Sequence, residues 1–184
     1  MSRVAGFPPI SGRHPRILIL GSMPGVRSLE LAQYYGHERN AFWPIMGALY
    51  GADYALPYAE RVKILKVNGV AVWDVLALCQ RKGSLDTSID LSTAKPNDLK
   101  AFLTARRSIR HVFFNGAKAA DLYRRLVLPA VQMSAPYLSH QRLPSTSPAL
   151  AAMDFPEKLS RWSVIRDANR PALRAVPAFQ EMLR

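Results

Sequence analysis

The chain has 184 residues, of which 49% are hydrophobic and 21% charged, a balance that predicts one folded domain over residues 1–184 and excludes wholesale disorder. Its 25 lysines and arginines against 13 acidic residues give an unusual net charge of +12. The single cysteine, Cys79, excludes an internal disulfide, a cysteine-based zinc site and a disulfide-stapled secreted scaffold.

Buried strands and helices alternate along the chain. Short apolar runs predict strands at 16–20, 70–73 and 111–114, and a fourth strand within 129–143. Helical spacing with capping residues predicts helices over 40–50, 56–68, 97–107, 115–126 and 155–165, with Asn40 as an N-cap, and a polar loop is expected over 80–96. Such alternation predicts βαβ units and a parallel sheet covered on both faces.

The positive charge is concentrated in the second half of the chain. Residues 1–100 hold 12 basic and 8 acidic side chains, whereas residues 101–184 hold 13 and 5. A basic half of this kind fits a polyanion, most simply nucleic acid, and it equally fits a solubilising surface. Charge alone leaves both interpretations open.

Polar and glycine-rich loops follow the predicted strands, where ligands of open α/β sheets bind. These loops begin with Gly21-Ser-Met-Pro-Gly25, Asp74, Asn115-Gly-Ala-Lys118 and Pro144-Ser-Thr-Ser-Pro148. The first loop has neither the Walker nor the dinucleotide-binding spacing, so by itself it indicates only a tight turn.

A segment rich in aromatic residues, Tyr34-Tyr-Gly-His-Glu-Arg-Asn-Ala-Phe-Trp43, follows the first loop. Aromatic rings beside cations suit an unstacked base next to a phosphate. The alternatives are that Phe42 and Trp43 belong to the core, the interpretation we favour for Trp43, and that Asn40 only caps a helix.

These residues resemble a known family. Gly21–Leu29 followed by Gln33–Trp43 resembles the first motif of the uracil-DNA glycosylase superfamily, in particular its hypoxanthine-DNA (deoxyinosine) or mismatch-specific glycosylase branch. Leu143-Pro-Ser-Thr-Ser-Pro-Ala149 resembles the second motif, and segments 72–76 and 83–89 also match. The resemblance covers roughly residues 6–165 in the expected order.

The resemblance implies an α/β fold, a three-layer α/β/α sandwich around a four-stranded, mainly parallel sheet. It implies a monofunctional DNA glycosylase that hydrolyses the N-glycosidic bond of a deaminated base in DNA, hypoxanthine first and mismatched uracil second, without metal or cofactor. Because no apolar run reaches the roughly 18 residues of a membrane span and no secretory signal is evident, we expect no membrane partner and a cytoplasmic, nucleoid-associated monomer.

The roles of Asn40, Tyr35, Asp74 and Ser145 follow from the same resemblance, and the other candidates come from the loops, the aromatic segment and the basic second half of the chain. Asn40 takes the catalytic position, where its carbonyl can orient a water, and Ser22 is the second candidate. The residues expected at the base are Tyr35, as the stacking platform, Asp74, Phe42 and Met23. Those expected at the DNA strand are Ser145, Thr146, Ser147, Lys118 and Arg39, with Arg124 and Arg125 as further candidates. Asp74 could equally be a cap after its strand.

The chain departs from the family pattern at several positions. Ser22 and Met23 stand where fast uracil-excising relatives carry an Asp or Asn, and Leu143 stands where they often carry a His. Leu150 replaces an expected Asn. The alternative hypothesis is therefore a non-catalytic nucleic-acid-binding module on the same scaffold.

Overall fold

The structure is a computed structural model that describes residues 2–81, 88–150 and 152–170. Its strands are β1 (Ser2–Ala5), β2 (Ile17–Gly21), β3 (Val70–Asp74), β4 (Leu76–Arg81), β5 (Ile89–Pro96), β6 (His111–Asn115) and β7 (Ser139–Leu143). Its helices are α1 (Val26–Leu31), α2 (Phe42–Tyr50), α3 (Tyr58–Val67), α4 (Leu99–Ala105), α5 (Ala117–Leu126), α6 (Leu128–Gln132), α7 (Phe155–Trp162) and α8 (Val164–Ala168).

The central sheet has four parallel strands in the order β3-β2-β6-β7. All five residues of β2 are buried, because this strand lies between two neighbours and is covered on both faces. Successive side chains of a strand point to opposite faces. Ile17 and Ile19 accordingly join one hydrophobic cluster, and Leu18 and Leu20 join the other.

Helices cover both faces of this sheet. Side chains of α2, α3, α7 and α8 pack on the face of Ile17 and Ile19, and Trp43 and Trp162 are completely buried there. Side chains of α4, α5 and α6 pack on the opposite face. The predicted three-layer α/β/α sandwich around a four-stranded sheet is confirmed.

The polar loop expected over 80–96 is wrong for most of the residues that the structure describes there, because 80–81 end β4 and 89–96 form β5. Strand β4 pairs antiparallel with both β1 and β5 in a three-stranded sheet of order β1-β4-β5. Most side chains of β5 are exposed or half-buried, so its composition resembles that of a loop. Pairing between distant segments makes these strands, and the local pattern does not contain that information.

Other boundaries differ in detail. Helices α1 and α6 were not predicted, and the helix expected over 155–165 is divided at Ser163 into α7 and α8. The N-cap position of α2 is held by Ala41 and not by Asn40. Most of the 83–89 motif and the chain beyond Arg170 lie outside the described residues. Among the described helices, none has the length and apolar character needed to cross a membrane.

The first prediction concerns the cap of α4. The side chain of Asp98 accepts a hydrogen bond from the backbone N–H of Ala101 at 2.9 Å, which is the bond of an N-cap residue. Asp98→Ala is expected to lower the free energy of unfolding by about 0.5–2 kcal/mol in urea denaturation. Asp98→Asn keeps a capping acceptor and serves as the control. A loss from Asn equal to that from Ala would contradict the capping role.

Candidate active site

A cleft of about 570 Å³ lies at the carboxyl edge of the central sheet, where β2, β3, β6 and β7 end. This volume falls within the range of about 300–1,000 Å³ that is usual for ligand sites. Its walls come from the loops that follow these strands and from the segment before α2. Residues that line it include Ser22, Met23, Tyr35, Asn40, Asp74, Asn115, Ser145, Thr146 and Ser147.

The inner end of the cleft is formed where Gly21 meets Asp74. These residues are partners in the parallel β2–β3 register, and the Asp74 side chain lies against the Cα of Gly21. A Cβ at position 21 would overlap the Asp74 carboxylate and lie 3.2 Å from the Tyr35 hydroxyl. Asp74 is only 3% exposed, and its backbone carbonyl accepts a hydrogen bond from the side chain of Asn97 at 2.9 Å. Glycine is therefore what lets a carboxylate enter this cleft.

Tyr35 forms one wall of the cleft and is supported from behind by Phe42. The two rings are stacked, with centroids 3.9 Å apart and an interplanar angle of 22°. Tyr35 is half-buried, whereas Phe42 is completely buried and does not line the cleft. The prediction that Phe42 contacts the base directly is wrong, because its ring is covered by Tyr35 and by the core.

The backbone of Tyr35 is held in an unusual conformation. Its φ of +53° lies in the left-handed region, which costs a residue with a Cβ about 1–2 kcal/mol. Its neighbours are fixed by side chains from three helices: Tyr58 accepts from the Tyr34 N–H at 3.1 Å, Trp43 donates to the Tyr34 carbonyl at 2.8 Å, and Ser28 accepts from the Gly36 N–H at 3.0 Å. We call these three side-chain bonds the loop clamp.

A buried guanidinium stabilises the clamp. The Arg61 group lies 4.6 Å from the centroid of the Trp43 ring, 5.3 Å from that of Tyr58 and 5.0 Å from that of Tyr54. Burial lowers the pKa of Arg61 and raises that of Tyr58. The phenol of Tyr58 thus stays neutral at physiological pH, with its oxygen accepting from the backbone.

The adjacent phenol, Tyr34, is buried behind the wall of the cleft. Its hydroxyl donates to the backbone carbonyls of Phe7 and Pro8, at 3.3 and 3.2 Å. Burial raises its pKa, and the nearby carboxylate of Asp74 raises it further. Tyr34 therefore remains a neutral donor, which ties the segment before α2 to the N-terminal part of the chain.

Asn40 lines the cleft just before α2. Its side-chain carbonyl accepts a hydrogen bond from the Phe42 N–H at 3.0 Å, so it assists the helix terminus although it is not the N-cap residue. An amide carbonyl has two lone pairs, and one of them remains for a water. The structure thus places Asn40 at the cleft and in support of the helix terminus, and orientation of a water by Asn40 stays a prediction.

Asn115 joins the loops that follow β6 and β7, and it was not among the predicted site residues. Its side chain donates to the Thr146 hydroxyl and accepts from the Thr146 N–H, both at 2.8 Å. The Thr146 carbonyl then accepts from the Ala41 N–H at 3.0 Å, next to Asn40. Its position directly after a buried strand was the signal available in the sequence.

Thr146 itself has a structural place in the cleft. Its side chain is 1% exposed and its hydroxyl is bonded to Asn115, while the predicted contact of Thr146 with DNA stays a prediction. Ser22, Met23, Ser145 and Ser147 line the cleft as expected. Lys118 and Arg39 lie outside the lining, so their contacts with DNA stay predictions.

Comparison with known families accords with this geometry. Residues 8–167 match the model of the family described as the uracil DNA glycosylase superfamily. The chain belongs to this superfamily. Its carboxyl-edge cleft is formed largely by the two motifs that carry the resemblance to the superfamily.

Relatives of known sequence and structure share this superfamily. Two are named hypoxanthine DNA glycosylase: one from Methanosarcina barkeri, 37% identical, and one from Methanosarcina acetivorans, 35% identical, each over 117 residues that cover 63% of this chain and 73% of the relative. A solution NMR structure from Methanosarcina acetivorans, described as a candidate uracil DNA glycosylase, is 29% identical with a TM-score of 0.74 and covers 92% of this chain and 100% of its own.

The structure shows where the residues that depart from the family motifs lie. Ser22 and Met23 line the cleft, although Ser22 is only 7% exposed and Met23 only 6% exposed. Leu143, where some relatives carry a His, is 3% exposed and packs in the core cluster that contains Trp162. This position therefore contributes packing and no polar group to the cleft.

The second prediction tests the loop clamp. Tyr58→Phe removes the acceptor of the Tyr34 N–H and keeps the ring, so it is expected to lower the free energy of unfolding by about 1–3 kcal/mol. Amide hydrogen exchange at Tyr34 should accelerate as well. Tyr54→Phe is the matched control, because Tyr54 also contacts Arg61 and is 41% exposed. Equal effects of the two variants would show that the Tyr58 hydroxyl is not a clamp.

Proposed function

We propose that the protein is a monofunctional DNA glycosylase that removes hypoxanthine from DNA, with mismatched uracil as a slower second substrate. The observation that carries the proposal is the cleft in which the buried Asp74 carboxylate and the Tyr35 ring lie together beside Asn40. The two relatives named hypoxanthine DNA glycosylase support the choice of substrate. The reaction consumes one water and yields free base and an abasic site.

Recognition of the base rests on Asp74 and Tyr35. An ionised carboxylate only accepts hydrogen bonds, so Asp74 can take the N1–H of hypoxanthine or the N3–H of uracil. Adenine presents a lone pair at N1, so it has no proton to donate to the carboxylate at that position, which disfavours the normal base. The half-buried ring of Tyr35 stacks on the base that has left the helix, and Phe42 keeps that ring in place.

Bond cleavage depends on the orientation of a water and on electrostatic stabilisation of the separating charges. The amide of Asn40 cannot remove a proton, so its role is limited to orienting a water toward the anomeric carbon. Departure of the base leaves an oxocarbenium-like sugar, which the phosphates of the DNA stabilise, while backbone N–H groups of the loops stabilise the departing anion. Ser22 is the alternative group for holding the water. Orientation without a strong base gives modest turnover.

The proposal includes a monomeric protein that acts in a reducing compartment, on DNA as its one macromolecular partner. Cys79 is 1% exposed and belongs to the core cluster around β4, where its side chain packs as a small apolar group.

The third prediction tests the function through Asn40. Duplexes that carry hypoxanthine, uracil, xanthine or an undamaged mismatch are incubated with the protein, and abasic sites are cleaved with alkali. We expect strand cleavage at hypoxanthine first and at mismatched uracil second. Asn40→Ala should slow single-turnover excision roughly a hundredfold, because the water loses its orientation, while binding to lesion DNA persists.

Controls separate catalysis from stability in that experiment. Asn40→Asp keeps the acceptor for the Phe42 N–H, so its melting temperature should stay near normal while its turnover changes. If Asn40→Ala lowers only the melting temperature, Asn40 supports the helix and Ser22 becomes the candidate for holding water. Lesion binding without any excision by the wild type would instead indicate the non-catalytic binding module.

The fourth prediction concerns base discrimination by Asp74. Asp74→Asn supplies an amide that both donates and accepts, so it can pair with N1 of adenine as well as with hypoxanthine. The ratio of hypoxanthine to adenine excision is expected to fall about tenfold or more, as measured by released base. Glu38→Gln makes the same charge change at an exposed neighbouring position and is the control. An unchanged ratio in Asp74→Asn would remove this residue from base recognition.

A further inference from the structure

A strongly basic surface lies at the amino edge of the central sheet, where β2, β3, β6 and β7 begin. Five segments meet there: 11–16, 63–69, 104–111, 133–139 and 164–170. The backbone carbonyl of Arg16 accepts from the Arg110 N–H at 2.9 Å, and the Arg16 guanidinium donates to the carbonyls of Asn68 and Asn169, both at 2.7 Å. The Ser139 N–H donates to the Arg110 carbonyl at 2.9 Å.

The charged residues of these five segments are almost all cationic. Together they contain nine lysines and arginines and one acidic residue, Asp167. Asp167 forms an ion pair with Arg170 at 3.1 Å, and it is the only ion pair at this edge in the part of the chain that the structure describes. The contrast with the rest of the chain is large, since 12 of the 13 acidic residues lie elsewhere.

The folded chain uses only some of these cations. Arg16 holds backbone carbonyls, and Arg106 donates to the Ser11 hydroxyl at 3.1 Å and covers the Phe102 ring at 4.1 Å. Arg13, Lys66 and Arg107 are exposed, and in the described residues they take part in no ion pair. Concentrated like charge raises the free energy of the compact state, so folding alone gives no reason for it.

The residues that follow Arg170 in the sequence carry no net negative charge. The fourteen residues from 171 to 184 add two arginines and one glutamate, a further net positive charge. Counter-charge of sufficient density must therefore come from another molecule. Seven of the nine cations at the edge are exposed, five of them arginines, and a guanidinium matches phosphate oxygens with two parallel hydrogen bonds.

We infer that the amino edge binds the phosphates of a second segment of double-stranded DNA while the carboxyl-edge cleft engages the first. The inference concerns a different surface from the cleft, and only its biological setting rests on the proposed function. Five-residue strands at about 3.3 Å per residue separate the two edges by about 16 Å, and the edges face opposite directions. A duplex whose flipped base lies between Tyr35 and Asp74 thus leaves the amino edge open.

A protein with two DNA-binding edges joins separate duplex segments. Phosphate contacts carry no sequence information, so the second segment need not contain a lesion. Such a protein passes directly between neighbouring stretches of a long DNA molecule, and its search for rare lesions does not require full dissociation. The excision step within the cleft does not depend on this edge.

The fifth prediction uses two undamaged duplexes of about 20 base pairs, one with a donor and one with an acceptor fluorophore. Addition of the wild-type protein is expected to produce energy transfer between the two fluorophores. Analytical ultracentrifugation should show complexes of one protein with two duplexes. Lys66→Glu with Arg107→Glu should lower the affinity for the second duplex at least tenfold, and should reduce the salt dependence of that binding, because fewer counterions are released. Excision of hypoxanthine from a short duplex should remain within twofold of the wild-type rate.

A matched control carries the same change of charge elsewhere. Arg3→Glu with Lys95→Glu alters exposed positions on β1 and β5 of the three-stranded sheet, and its bridging should stay within twofold of wild type. Equal loss in both variants would overturn the inference in favour of a net-charge effect. Absence of a second duplex on the wild type at about 0.1 M salt would overturn it as well, and would leave an acidic protein as the partner to examine. Bridging without excision would contradict the proposed function alone.

Discussion

The parallel pairing of β2 with β3 is the constraint on which the rest of the structure depends. It sets Gly21 opposite Asp74, and the missing Cβ lets a carboxylate lie against the central strand at the inner end of the cleft. Because β2 is buried on both faces, its register cannot slip without moving apolar side chains out of the two cores. The burial that stabilises the sandwich therefore also places the polar group that can distinguish bases.

A second requirement is a ring held in a fixed place at the wall of the cleft. The left-handed backbone of Tyr35 is unfavourable by itself, and the surrounding structure offsets its cost. Three side chains, from α1, α2 and α3, bond the peptide groups on either side of it, and Phe42 stacks beneath the ring. A rigid platform reduces the entropy lost when a base stacks on it, so strain and support together favour binding.

The two edges of the sheet have different chemistry. At the carboxyl edge the strands end in loops whose side chains bond one another, as Asn115 and Thr146 do, and enclose a cleft with a buried carboxylate. At the amino edge the helix ends and strand beginnings present cations with almost no acidic partners. We propose that the first edge selects a base by shape and hydrogen bonds and that the second offers a field that suits any DNA. This proposed division of roles is consistent with the high net charge of the chain.

The local pattern of the sequence predicted much of this architecture. The apolar runs that become β2, β3 and β6 and the glycine that ends β2 are visible in the sequence, because burial and turn chemistry leave local traces. The roles expected of Tyr35, Asn40 and Asp74 came from the resemblance to the superfamily motifs. Only the tertiary structure decided that 89–96 is a strand, that Phe42 lies beneath Tyr35 and that Thr146 is bonded to Asn115. Each of these depends on contacts between residues far apart in the chain or on which side of a ring is covered. Such contacts arise when the chain folds, and no local pattern encodes them.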